Sequence, residues 1–199
     1  MKKGRLEAFS DGVIAVIITI MVLELHVPHG DNIRDLIPVI PILLSYILSF
    51  VNVGIYWNNH HHMLYAAEKI NGSVLWANLN LLFWLSLIPF VTGWMGENHF
   101  TQWPVILYGG VLIMTGISYN ILCNLLIRAA GPGSTLAIAL GRDWKGRLSI
   151  IIYAIAILLA FINPWLAFGL YVVVAVMWFI PDRRIEKTIS ENPPISANP

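Results

Sequence analysis

Six apolar runs divide the chain, at about 6–26, 37–58, 74–95, 104–127, 148–163 and 165–181. An α-helix needs ~20 residues to cross ~30 Å of hydrocarbon, and the first four runs reach that length. The last two are shorter and nearly touch at Asn163-Pro164-Trp165. That step predicts a compact turn between antiparallel helices, because proline has no backbone donor and disfavours helix in the residue before it. One long buried helix is the competing reading of the same stretch. The longest polar connection, about 128–147, is broken by Gly131-Pro132-Gly133-Ser134, and Thr135–Leu140 is expected to lie along the membrane interface. After residue 181 the tail 182–199 is polar and proline-rich, and is expected to be disordered. The pattern predicts an all-α integral membrane protein whose six transmembrane helices occupy residues 1–181, without an internal repeat or an extramembrane domain.

Composition strengthens that reading. Of 199 residues, 57% are apolar and only 12% are charged, and the mean hydropathy is +0.71, whereas a water-soluble domain gives about a quarter of its residues to charge. The formal net charge of +1 offers nothing to nucleic acid. The single Cys123 sits in an apolar run, which excludes an intrachain disulfide and suits a small buried hydrophobe. Lys2, Lys3 and Arg5 before an apolar run imitate a signal peptide. Glu7 and Asp11 interrupt the lead-in, however, and no small-x-small cleavage site follows Leu25, so the first span is read as uncleaved.

The placement of charge sets the orientation. Every lysine and arginine except Arg34 falls on the side of the N-terminus, whereas the opposite loops carry Asp31, Asp35 and Glu97. The positive-inside rule then puts both termini in the cytoplasm of a cell with the chain multi-pass in its inner membrane. Trp57, Trp76, Trp94, Trp103, Trp165 and Trp178 lie near predicted span ends, where indoles prefer the interface, and Trp84 is mid-span.

The first run carries an unusual load for an anchor: Glu7, Ser10 and Asp11 near its start and Glu24 near its end. A charge at the bilayer centre costs about 3 kcal/mol on insertion scales, so these groups need partners or water. Positions 5, 9, 12, 16, 19 and 23 follow the 3.5-residue repeat that keeps one stripe facing a neighbour or an axis. The stripe reads Arg5, Phe9, Gly12, Val16, Thr19, Leu23, with Ile20 beside it. It fits ordinary helix packing. It also fits a pore lined by several copies of this helix, with Val16, Ile20 and Leu23 as a dewetting constriction. Glu24 at the outer end would then form an acidic ring that concentrates cations.

Ser10 and Asp11 lie about 100° and 200° from Phe9 around the helix, off the stripe and toward neighbouring helices. Donors at the same depth are Trp57, Asn58, Asn59, His60, His61 and His62 at the end of the second run, and Asn78 and Asn80 in the third. A structural lock is the reading favoured for Asp11, and a proton relay the alternative. The three consecutive histidines are about 100° apart on a helix and cannot converge on one ion without unwinding, so no structural metal is expected. Interfacial hydrogen bonding or pH sensing suits them better. The chain has no nucleophile constellation, phosphate-binding glycine loop, CxxC pair or Thr-Val-Gly-Tyr-Gly filter. It is therefore not read as an enzyme and calls for no cofactor.

Arg5-Leu6-Glu7-Ala8-Phe9-Ser10-Asp11 matches R-x-x-x-F-S-D at the opening of the first of six spans, and the last span closes on Trp178-Phe179-Ile180-Pro181-Asp182. In these features the chain resembles a prokaryotic member of the transmembrane protein 175 family of potassium channels, over nearly its whole length. The resemblance implies a homotetramer of six-helix subunits, where animal relatives carry two such repeats per chain and dimerise. It implies a central pore lined by the first helix, with the constriction on Val16, Ile20 and Leu23 and a threonine layer at Thr19. It assigns Arg5, Phe9, Ser10 and Asp11 to a lock against histidine, asparagine and tryptophan partners. Val16 departs from the larger Ile or Leu usual at that place. The expected activity is passive, modestly selective conduction of K+ and other monovalent cations across the bilayer. A proton-coupled secondary transporter using Asp11 and the interfacial histidines is the alternative.

Overall fold

A computed structural model describes residues 3–67, 69–131, 134, 137 and 144–179. Apart from Ala137 the segment Thr135–Leu140 lies outside the residues described, as do the tail 182–199 and the Ile180-Pro181-Asp182 end of the closing motif. Among those described every regular element is helical. In chain order they are α1 (Lys3–Leu23), a 3-10 helix (Ile33–Val39), α2 (Ile40–Tyr65), α3 (Gly72–Ser86), α4 (Ile88–Glu97), α5 (Gln102–Ala130), α6 (Trp144–Ala160) and α7 (Pro164–Phe179). Lys3–Leu23, Ile33–Tyr65, Gly72–Glu97 and Gln102–Ala130 are long and apolar enough to cross a bilayer, and Pro164–Phe179 is apolar but shorter.

The helices follow the six apolar runs, with differences that have local causes. The third run is two helices, α3 and α4. Pro89 cannot donate to the carbonyl of Leu85, so the helix yields at Leu87, whose N–H reaches only back to Trp84 at 3.3 Å. The Ser86 hydroxyl donates to the carbonyl of Phe83 at 2.7 Å and satisfies part of the break. The two helices together still make one apolar stretch, Gly72–Glu97, of membrane-spanning length. The second helix continues past Asn58 to Tyr65. That extension carries all three histidines on helix instead of at its end. Between α6 and α7 the Asn163 side chain accepts the N–H of Trp165 at 2.9 Å. This Asx turn, followed by proline at the first helical position, excludes one long helix there.

The closest helix pairs are α3 with α5, α5 with α6, α6 with α7, and α2 with α4, while α1 lies against α2, α3 and α4. Without a hydrophobic drive between helices in lipid, close approach relies on small residues and interhelical hydrogen bonds. A Cβ at Gly96 would come within 2.6 Å of Ser45 Oγ and 2.7 Å of Ile42 Cα, so α2 and α4 touch backbone to backbone there. Beneath that contact Ser49 meets the hydroxyls of Thr92 at 2.6 Å and Tyr108 at 3.0 Å, all fully buried. Tyr171 lies over Gly109 and donates to the carbonyl of Val105 at 3.0 Å. Among the described residues no buried side-chain polar atom lacks a hydrogen bond.

Candidate functional site

α1 shows two faces. Leu6, Ser10, Ile14, Ile17 and Met21 recur at intervals of four and three, and all are buried within the subunit. Ser10 is the one polar member. Its hydroxyl donates to the carbonyl of Leu6 at 2.9 Å and accepts from the Asn78 amide at 2.9 Å. With its NH2 so engaged, Asn78 turns its carbonyl oxygen to His60 Nε2 at 2.7 Å. That oxygen can only accept, so Nε2 carries the proton. A neutral chain of three buried side chains thus joins α1, α3 and α2.

Asp11 takes a different partner. Its Oδ1 accepts from Trp57 Nε1 at 3.0 Å, at a half-exposed position. His61 does not bond to Asp11; its ring lies 6.3 Å from Trp57, meets His62 edge-on at 5.5 Å and stacks on Tyr65 at 6.5 Å. Asn80, grouped with the Asp11 partners from sequence, instead donates to Ser118 of α5 at 2.7 Å and belongs to the α3–α5 contact. Arg5 and Phe9 are exposed. A tie that sequence reasoning missed runs from Lys3, whose ammonium donates to the carbonyl of Tyr65 at 2.6 Å and sits 5.5 Å over its ring. Lys3 also lies 4.0 Å from Glu7. A cation at the last turn of α2 complements the helix dipole, a signal visible in sequence only once the helix end is known.

The opposite face of α1 is uncovered. Phe9 is 52% exposed, Val16 53%, Ile20 43% and Leu23 75%, and Gly12 and Thr19 are exposed between them. The Thr19 hydroxyl donates to the carbonyl of Val16 at 2.9 Å, which commits its proton to the helix and leaves oxygen lone pairs outward. Beside the stripe an open groove of about 830 Å³ extends to Ser86, Pro89 and Phe90 at the α3–α4 break. Glu24 borders this groove and lies against α4, where a Cβ at Gly93 would stand 2.9 Å from its Oε2. The glycine makes room for the carboxylate, a role with no sequence signature. Among the described residues no group of His, Cys, Asp or Glu is arranged to hold a metal ion.

The comparisons with known proteins agree with this architecture. A family model described as "Endosomal/lysosomal potassium channel TMEM175" matches residues 5–89. A potassium channel of Chryseobacterium sp. (strain P1-3) is 56% identical over 192 residues, covering 96% of this chain and 100% of its own. The endosomal/lysosomal proton channel TMEM175 of Gallus gallus is 35% identical over 81 residues, 35% of this chain and 16% of its own. The crystal structure of a lysosomal potassium-selective channel TMEM175 homolog from Chamaesiphon minutus superposes with a TM-score of 0.79 at 27% identity, over 90% of this chain and 97% of that one. The chain is a multi-pass membrane protein and belongs to the TMEM175 family of ion channels.

Proposed function

We propose that this chain is one subunit of a homotetrameric, modestly selective potassium channel whose central pore is lined by α1. The observation that carries the reading is the uncovered apolar stripe on α1, opposite a fully buried face of the same helix. A helix packed on one side within its subunit and bare along Val16, Ile20 and Leu23 suits an axis shared by copies of itself. In this reading those three side chains form hydrophobic rings that block ions by dewetting, and tilting α1 wets them. Thr19 supplies one layer of oxygen atoms between the rings. One hydroxyl ring cannot replace a whole hydration shell, so selectivity is modest. Glu24 at the outer mouth concentrates cations, while Ser10 and Asp11 hold the helix. Both termini face the cytoplasm, across the inner membrane, by the distribution of lysine and arginine. The name of the Chryseobacterium relative supports potassium as the ion.

Proton permeation is the second reading, favoured by the name of the Gallus gallus relative. A carrier built on Asp11 and the histidines has less support, since Asp11 is engaged by Trp57 and His60 by Asn78. Purified protein in potassium-loaded liposomes separates the channel from the carrier. The channel reading expects dye-reported potassium efflux that does not saturate with concentration and persists without a pH gradient. Efflux that requires a pH gradient and disappears in Asp11→Asn would overturn it in favour of the carrier.

A further inference from the structure

A second feature lies far from the stripe, along the seam between α2 and α7. An entirely apolar groove of about 310 Å³ runs between these helices, from Leu44 and Ile47 past Phe168 and Val172 to Val51 and Phe179. Val51 and Phe179 also line a second groove of about 270 Å³, which adds Gly54, Asn58, Asn59 and Trp178. Asn59 and Trp178 in turn line a small cavity of about 30 Å³ whose mostly apolar wall also carries Asn52, Asn120 and Ser149. The lining therefore passes from wholly apolar around Leu44 and Ile47 to partly polar at Asn58 and Asn59. At that end Lys145 holds its ammonium 5.9 Å over the Trp178 ring. The amides of Asn58 and Asn59 make no hydrogen bond to any described residue. From Leu44 to Asn59 the groove follows about 22 Å of helix, close to the depth of one bilayer leaflet with its headgroups.

Gly54 gives the seam its meaning. It lies inside a helix, where glycine costs about 1 kcal/mol relative to alanine. The glycines at Gly96 and Gly109 are needed because a Cβ there would strike a neighbouring helix. A Cβ at Gly54 would meet nothing within 4 Å. Packing within the subunit does not require this glycine, and its effect is to leave the second groove open beside Val51 and Asn58.

We infer that the α2–α7 seam is a binding site for an anionic phospholipid. An acyl chain fills the apolar stretch from Leu44 to Val51. The glycerol esters pass Gly54 to the free amides of Asn58 and Asn59, and the headgroup phosphate lies toward Lys145. A protein helix would bring an apolar surface to both ends of the seam, whereas the graded lining and terminal cation match the order of groups along a lipid. The site requires no assignment of the ion path.

Native mass spectrometry of the purified full-length protein, titrated with phosphatidylglycerol or phosphatidylcholine, tests the site. Tight phosphatidylglycerol adducts are expected, lost in Gly54→Phe, whose ring enters open space without displacing a helix. Val172→Trp, filling the adjoining apolar groove from the exposed face of α7, gives the same loss if Gly54→Phe does not fold. Lys145→Gln lowers the preference for phosphatidylglycerol by about fivefold, the worth of one basic residue at an anionic headgroup. Unchanged adducts in either groove-filling variant would overturn the site. Equal retention of both lipids by the parent protein would overturn the anionic assignment, and disulfide-linked copies from Val176→Cys would show a neighbouring subunit in the groove instead.

Discussion

The first and second halves of α1 pack against the same subunit along one buried stripe, but different forces hold them. Between Lys3 and Asp11 the helix is tied by the Ser10–Asn78–His60 chain, the Asp11–Trp57 bond and the Lys3–Tyr65 bond. Between Gly12 and Leu23 the buried contacts are the apolar Ile14, Ile17 and Met21. Hydrogen bonds are directional and fix rotation and register, whereas dispersion contacts tolerate sliding and tilt. Gly12 stands at the junction with open space where its side chain would be. The arrangement describes a helix pinned by hydrogen bonds at one end, with the exposed Val16, Ile20 and Leu23 on the half that apolar contacts hold.

The largest stability effect should come from cutting the pinned half. Asn78→Leu removes the link between Ser10 and His60 at a site without access to water. The orphaned imidazole N–H costs about 1–3 kcal/mol, and the lost bond to Ser10 adds about 0.6–2 kcal/mol. Thermal unfolding of the purified protein should show a marked fall in Tm. The matching change in the other half is Leu23→Ala. Leu23 is 75% exposed, so truncation should leave stability within about 0.5 kcal/mol while raising liposomal potassium flux severalfold. If Leu23→Ala destabilises the protein as Asn78→Leu does, or leaves flux unchanged, the division between anchor and gate fails.

Those two residues also show how far the sequence could be read. The apolar runs reveal the helices because burial in lipid imposes a minimum length, and the 3.5-residue repeat isolates the stripe before any partner is known. The same repeat fits a packing seam, and only the surrounding helices show that this face is bare. Ser10 and Asp11 were legible as groups needing donors, since an unsatisfied polar group in a membrane is expensive. Which donor serves which group was not legible. Asn78 and Asn80 are two residues apart on one helix, so they face different neighbours, and only the fold gives the first to Ser10 and the second to Ser118. The break at Leu87 was signalled by Pro89 but hidden within a continuous apolar run. Gly93 and Gly54 carry no pattern at all, because what matters there is the space beside the backbone.

A smaller effect sharpens the description of the exposed half. Thr19→Val keeps the shape of the side chain and removes its oxygen. The hydroxyl bond it loses is to its own helix, so stability should change little. In the pore reading it also removes the one polar layer among Val16, Ile20 and Leu23. Potassium-over-sodium selectivity, measured by reversal potentials in planar bilayers, should then fall roughly fivefold, what about 1 kcal/mol corresponds to. Unaltered selectivity would move ion preference away from α1.

The smallest expected change lies back in the pinned half, at its half-exposed bond. Trp57→Phe preserves an aromatic ring beside His61 and deletes the N–H that Asp11 accepts. Water reaches Asp11 and replaces the lost donor, so the loss should be about 0.6 kcal/mol, the average for interhelical bonds in membranes. A double-mutant cycle with Asp11→Ala, which removes the acceptor, read by thermal unfolding, measures that coupling without the confounding loss of the ring. A coupling as large as the Asn78→Leu penalty would mean that the Asp11–Trp57 bond carries the anchor. A small one leaves that task to the buried neutral chain, where no water can stand in for the missing partner.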